Sequence, residues 1–249
     1  RIMAWADKAS RSGRLSLLVC TPDRYSKRTV RCLSAIRDTT KGIEYDLVLL
    51  DNRNRKDFSH ARDMNRAIDM CEGPLCVLDD DVVVSGGWLE HMLYQLAPDV
   101  GAVGCSSSNI RGKIRARGCS ISGDGEPVLW NGDIDHPIRV PATGSCCLLL
   151  NLPVWPSGFR FSLEYKKYFF DPDALLRLWE CNLATVIVPD VVLHESGGAM
   201  KELHINRDIL SGYDKGVFRR KWIDTGRYSS LEAHYGGEWH GPLRKSMYA

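Results

Sequence analysis

The stretch Leu75-Cys76-Val77-Leu78-Asp79-Asp80-Asp81-Val82 joins an apolar run to three consecutive carboxylates. The run is bounded upstream by Glu72-Gly73-Pro74, so its length and make-up predict a short buried strand. Two earlier runs end the same way. Leu15-Ser16-Leu17-Leu18-Val19-Cys20 stops at Thr21-Pro22-Asp23, and Tyr45-Asp46-Leu47-Val48-Leu49-Leu50 stops at Asp51-Asn52. Between the runs, Val30, Leu33 and Ile36 recur at helical spacing, and Ala61, Met64, Ala67, Ile68 and Cys71 mark one face of a second helix. This alternation predicts right-handed βαβ units, hence an α/β fold with a mostly parallel central sheet flanked by helices. Ligands of such sheets gather at the carboxyl ends of the strands. Thr21, Pro22, Asp23, Asp51 and Asp79 to Asp81 therefore share one edge.

Further along, the pattern predicts a helix over Trp88–Leu96 and a strand over Val100–Gly104. Residues 105–141, rich in Gly, Ser, Asp and Arg, read as loops and hairpins, with a turn at Ser122-Gly123-Asp124-Gly125. Strands are expected at Gly144–Leu150, at Ala184–Val188 and at Val191–Leu193, the last leading into His194, and a helix at Asp173–Trp179. From Ala199 the character changes to Gly, basic and aromatic residues, including Trp222, Tyr228, Tyr235 and Trp239. Arg219-Arg220-Lys221-Trp222 reads as a packing helix, because Val217, Phe218 and Trp222 give it a partial apolar face; a lid, a partner face or a peripheral membrane contact are the other readings.

Composition narrows the classes. At 249 residues the chain is one large domain or two small ones and needs no staples to fold. The balance of 33 basic against 31 acidic residues argues against a dedicated nucleic-acid binder. The basic run Arg111, Lys113, Arg115 and Arg117 reads as a solvated loop or a diphosphate contact. No apolar run reaches the ~18 residues of a membrane span. The first residues carry no apolar block of signal-peptide length and no initiator Met. Nine cysteines, an odd number without CxxC spacing, read as buried thiols in a reducing compartment, so a cytoplasmic location is expected.

Three carboxylates in a row repel one another, and a divalent cation relieves that cost with hard oxygen ligands. In an extended segment residues i and i+2 face the same side, which pairs Asp79 with Asp81 and turns Asp80 elsewhere. The bland alternative is an acidic surface turn. In Asp171-Pro172-Asp173, helix capping explains Asp173 better than Asp171. A carboxylate at the mouth of a site can also act as general base for a hydroxyl nucleophile. His194 reads as a half-buried histidine or as a metal ligand.

These blocks continue through Pro98-Asp99-Val100-Gly101-Ala102-Val103-Gly104, Thr143-Gly144-Ser145-Cys146, Phe170-Asp171-Pro172-Asp173-Ala174-Leu175-Leu176-Arg177-Leu178 and Val188-Pro189-Asp190-Val191-Val192-Leu193-His194. In order and spacing the set resembles glycosyltransferase family 2, the inverting transferases of GT-A (Rossmann-like) fold, over residues 14–198. The resemblance implies a nucleotide-sugar half over about 14–104 and an acceptor half over about 105–198, followed by a helical and loop extension over 199–249. It implies that Thr21, Pro22, Asp23 and Asp51 bind the nucleotide and that Asp80 touches the donor ribose or sugar. Asp79 and Asp81, with His194, would hold Mn²⁺ or Mg²⁺ on the donor diphosphate. Asp171 would be the base, with Asp173 the second choice; Phe170 stands where the family carries Glu. Residues 59–74 resemble the family's helix and its Gly, but the stretch from Gly73 to the first Asp is one residue short, so Arg62 and Asn65 take no role. The implied reaction moves a sugar from a nucleotide-diphosphate sugar, a UDP-sugar by preference, to an acceptor hydroxyl of a glycan or other glycoconjugate. The alternatives are a non-catalytic nucleotide-sugar or glycan-binding domain and a sugar-1-phosphate nucleotidyltransferase. The latter wants a Gly-rich, basic loop after the first strand, which Thr21-Pro22-Asp23-Arg24 is not.

Overall fold

A computed structural model describes residues 2–3, 13–52, 59–195 and 207–239. The end of the 14–198 stretch beyond Glu195, and the start of the extension, lie outside the described residues. The first half alternates as the sequence predicts: β1 (Ile2–Met3), β2 (Ser16–Thr21), α1 (Lys27–Thr39), β3 (Asp46–Asp51), α2 (His60–Met70) and β4 (Leu75–Asp79). There follow β5 (Val82–Val83), α3 (Trp88–Tyr94), β6 (Val100–Ser108), β7 (Ile114–Ala116), β8 (Cys119–Ile121), β9 (Pro127–Leu129), β10 (Ile138–Val140) and β11 (Cys147–Leu150). The chain continues with α4 (Phe170–Glu180), β12 (Ala184–His194), α5 (Arg207–Trp222) and α6 (Arg227–Tyr235).

The main sheet runs β1-β3-β2-β4-β11-β6-β12-β10. β1, β3, β2, β4, β6 and β12 all point the same way, and β11 is inserted antiparallel between β4 and β6. The sheet is covered on both faces, so successive strand residues enter different cores. Leu18, Leu75 and Val77 pack with α2 and α4, whereas Leu17, Val19, Cys76 and Leu78 pack with α1 and α3. Each such side chain, fully buried, contributes about 1.5–3 kcal/mol of transfer free energy.

Where structure and expectation differ, the cause is local. β6 runs on to Ser108, because its three terminal serines are interior to the sheet and their backbone pairs with β7 and β12. The two strands expected at 184–188 and 191–193 are one, with a register shift between Val188 and Val191 where Pro189 withholds an N–H. Within 105–141 the hairpin turn at Ser122–Gly125 joins β8 to β9, and Gly125 takes a φ of +86° there. All nine cysteines are free thiols, six of them buried. In the tail, Phe218 and Trp222 of α5 and Tyr228, Leu231 and Tyr235 of α6 join the core that α4 builds. The basic stretch at 219–222 is thus a packing helix whose Trp222 faces inward. Among the described residues no helix is long and apolar enough to cross a membrane.

Candidate active site

The parallel register puts the polar strand ends in one row. Thr21 is opposite Asp51 and Cys20 is opposite Asp79. The chain turns after Asp79, and β5 then pairs with the end of β12, Val82 against His194. That pairing carries His194 from the far side of the sheet to the triplet. Its Nε2 is 3.2 Å from Asp81 Oδ1 and 3.5 Å from Asp79 Oδ2. The ligand atoms of Asp79, Asp81 and His194 all lie within 4.8 Å of one another. Two carboxylates and an imidazole so grouped are a donor set that can hold a divalent cation.

The electrostatics of the trio are coupled. Burial alone would raise Asp81, but the hydrogen bond and charge of His194 outweigh it and hold the carboxyl below its usual range. Burial likewise opposes charge on His194, yet Asp81, Cys146 and Asp79 together push its pKa up. The imidazolium balances the carboxylates when no cation does. Arg31 of α1 pairs with Glu195, and the Glu195 N–H donates to the Asp81 carbonyl at 3.2 Å, which fixes the chain beside His194.

Asp80, in the turn between β4 and β5, is directed to Thr21 and Thr29 and not to the trio. Its Oδ2 accepts from the Thr21 hydroxyl at 2.9 Å and the Thr29 hydroxyl at 3.1 Å, and burial raises its pKa. The 21–25 turn is built locally: the Asp23 N–H donates to Thr21 Oγ1, and Asp23 Oδ1 accepts from the Tyr25 N–H. Pro22 sits between them, and Arg24 Nε lies 3.6 Å from Asp51 Oδ2. Thr21 and Asp80 are thus buried beneath the strand ends, and none of Thr21, Asp23, Asp51 and Asp80 lines the cleft that Asp79 shares with Asp171.

A cleft of about 410 Å³ is lined by Asp79 of the trio and by Asp171, together with His60, Ser145, Lys167 and Tyr168. Asp171 sits in the first turn of α4, where its Oδ2 accepts from the Ser145 N–H at 3.0 Å. Burial, opposed by that hydrogen bond and reinforced by the charge of Asp79, raises its pKa to about 6. Helix α4 begins at Phe170, three residues before the expected start, because Phe169 turns the chain with a φ of +62°. Asp173 is 0% exposed and committed inside the protein. It accepts from Tyr165 Oη at 3.1 Å, Arg177 Nε at 3.0 Å and Trp222 Nε1 at 2.9 Å, and Lys221 Nζ lies 2.7 Å away.

His60 and Lys167 were not among the expected site residues. His60 Nε2 stands 3.8 Å from Asp79 Oδ1 and its ring stacks on Phe170 at 5.6 Å; burial, opposed by the charge of Asp79, lowers its pKa. A His at the first position of a helix and a Lys in a loop carry no motif. Ser145 stood in a recognised block but had no role, since it acts through its backbone.

No family model matches the chain, and no curated protein matches it in sequence. Solved structures match it in fold. It is similar to the mannosyltransferase PcManGT from Pyrobaculum calidifontis, in complex with GDP-Man and Mn²⁺, with a TM-score of 0.53 and 11% identity over 95% of this chain and 79% of that one. It is also similar to S. aureus TarS 1–349 in complex with UDP-GlcNAc, with a TM-score of 0.53 and 11% identity over 90% of this chain and 73% of that one. A further structure of TarS 1–349 matches at a TM-score of 0.51 and 11% identity over 91% and 77%. The mixed α/β architecture with its mostly parallel central sheet is thus the fold of a mannosyltransferase and of a protein seen with a nucleotide sugar.

Proposed function

We propose that this chain is a metal-dependent, inverting glycosyltransferase of family 2 type that uses a nucleotide-diphosphate sugar, a UDP-sugar by preference, and an acceptor hydroxyl of a glycan or glycoconjugate. The observation that carries the reading is that one cleft joins a carboxylate of the Asp79–Asp81–His194 trio to Asp171, a carboxylate with a raised pKa. The fold it shares with proteins seen with GDP-Man and UDP-GlcNAc supports it.

In this reading Asp79, Asp81 and His194 hold Mn²⁺ or Mg²⁺. A cation bound there supplies Lewis-acid neutralisation of the departing diphosphate. Pro22, Asp23 and Asp51 offer the surface on which the nucleoside packs, and the buried Thr21 and Asp80, linked to each other and to Thr29, brace it from within. Asp171 takes the proton of the acceptor hydroxyl. The acceptor oxygen then bonds to the anomeric carbon as the bond to the diphosphate breaks, and the nucleoside diphosphate leaves with that electron pair. A base with a pKa near 6 is largely ionised at neutral pH and still basic enough to accept a proton. We give Asp173, whose oxygens are all engaged, the task of fixing α4 rather than that of a base. The nine free thiols suit a reducing compartment, and we place the protein in the cytoplasm.

The test is a transfer assay over a panel of nucleotide sugars with a mixed hydroxyl-acceptor library and Mn²⁺. The reading requires release of nucleoside diphosphate that depends on both acceptor and metal. Release that survives in EDTA, or none with any donor, contradicts it.

A further inference from the structure

Two buried carboxylates tie α5 to the segment that carries Asp171. Asp173 is gripped by Trp222 and Lys221 of α5, as described above. Asp214, in the middle of α5, is 0% exposed and accepts from three consecutive backbone N–H groups: Lys166 at 2.7 Å, Lys167 at 2.8 Å and Tyr168 at 2.7 Å. Successive N–H groups pointing inward form a concave anion cradle. Here the anion is the chain's own carboxylate. Phe169, next in line, packs on Phe218 of α5 with ring centroids 5.2 Å apart.

The chemistry of this contact exceeds what helix packing needs. Phe218 and Trp222, both fully buried, already anchor α5 by apolar contact. A carboxylate removed from water is costly unless donors surround it. What the Asp214 carboxylate adds is orientation of three peptide planes. Those planes deliver the chain into Phe169, a non-glycine residue held in the left-handed region, and two residues later into Asp171. Such a conformation persists only where the surroundings over-determine it. The same turn presents Lys167 and Tyr168 to the cleft.

We propose that Asp214 is a positioning residue for sugar transfer: its carboxylate clasps the N–H groups of Lys166, Lys167 and Tyr168 and so sets Asp171 against the acceptor. The proposal rests on the reading of Asp171 as the base. It makes α5 part of the catalytic apparatus, although no residue of α5 need touch the reacting atoms.

Asp214→Asn, which keeps one acceptor oxygen for three amides, and Asp214→Ala test it by steady-state kinetics and amide hydrogen exchange. A displacement of about 1 Å at a base costs on the order of 10²-fold in rate. The Asn variant is therefore expected to lose about 10- to 100-fold in kcat while its KM for the donor stays within about twofold. Exchange at 166–168 should quicken at least about tenfold while the core amides of β2 and β4 keep wild-type protection. The Ala variant should lose more, and if it does not fold the Asn variant decides. A folded Asn variant with wild-type kcat, or with unchanged exchange at 166–168, overturns the proposal. Exchange does not depend on turnover. A wild type that transfers no sugar therefore contradicts the function reading, while faster or unchanged exchange still upholds or overturns the clasp.

Discussion

At the scale of single residues, Asp171 is where burial and chemistry conflict. Its carboxyl ionises near pH 6 in the folded protein, against about 3.9 when unfolded. Folding thus favours the protonated form. The stability this group contributes is fully present below about pH 4 and is lost as the pH rises through 6. Asp171→Asn, which can still accept from Ser145, should therefore be more stable than wild type above pH 6, by up to about 3 kcal/mol, and match it near pH 4. Denaturant titrations at the two pH values check this. The same variant should lose about 10²- to 10⁴-fold in transfer and keep its donor-dependent thermal shift. In the wild type, kcat should rise with pH along an acid limb governed by a group titrating near 6. A pH-independent rate between 5 and 8 would remove Asp171 from the reaction. The Asp79–Asp81 pairing was expected from alternation and His194 from the resemblance; the pairing holds although Asp80 and Asp81 lie in the turn after β4. His60 and Ser145 were not expected, since their places depend on which strands become neighbours.

Among the elements, α5 joins the core and also holds the 166–168 segment and Asp173. The partial apolar face of Val217, Phe218 and Trp222 reads as a packing helix, and Phe218 and Trp222 are as buried as the central strands. Trp222 fills the core beside α4 and donates to Asp173, so Trp222→Ala removes both packing and a hydrogen bond. It should cost about 3–5 kcal/mol. For a chain of this size that is a fall of roughly 10 °C in Tm, readable by calorimetry. A fall of under about 2 °C would show that the tail is not integral to the core. Strand and helix positions in the first half were legible because apolar runs and turn residues coincide there. The start of α4 was not: a Phe in a left-handed conformation does what sequence patterns assign to Asp or Ser.

For the whole molecule, the parallel β3-β2-β4 edge and its row of polar strand ends followed from the βαβ rhythm. The insertion of β11 antiparallel between β4 and β6, and the β5–β12 pairing that returns His194 to the triplet, are long-range events that no local pattern encodes. They make the proposed cation site a property of the complete sheet. Asp79→Ala or Asp81→Ala should leave the fold intact, since neither side chain supports the core, and should abolish metal-dependent turnover. The most direct measurement is the Tm of wild type and Asp81→Ala against a panel of nucleotide sugars, with Mn²⁺ and with EDTA. A donor at about 100 times its Kd stabilises by about 2.7 kcal/mol, several degrees here. The account predicts that rise for wild type only when donor and Mn²⁺ are both present, and none for Asp81→Ala. An equal rise in EDTA, or in Asp81→Ala, would contradict it.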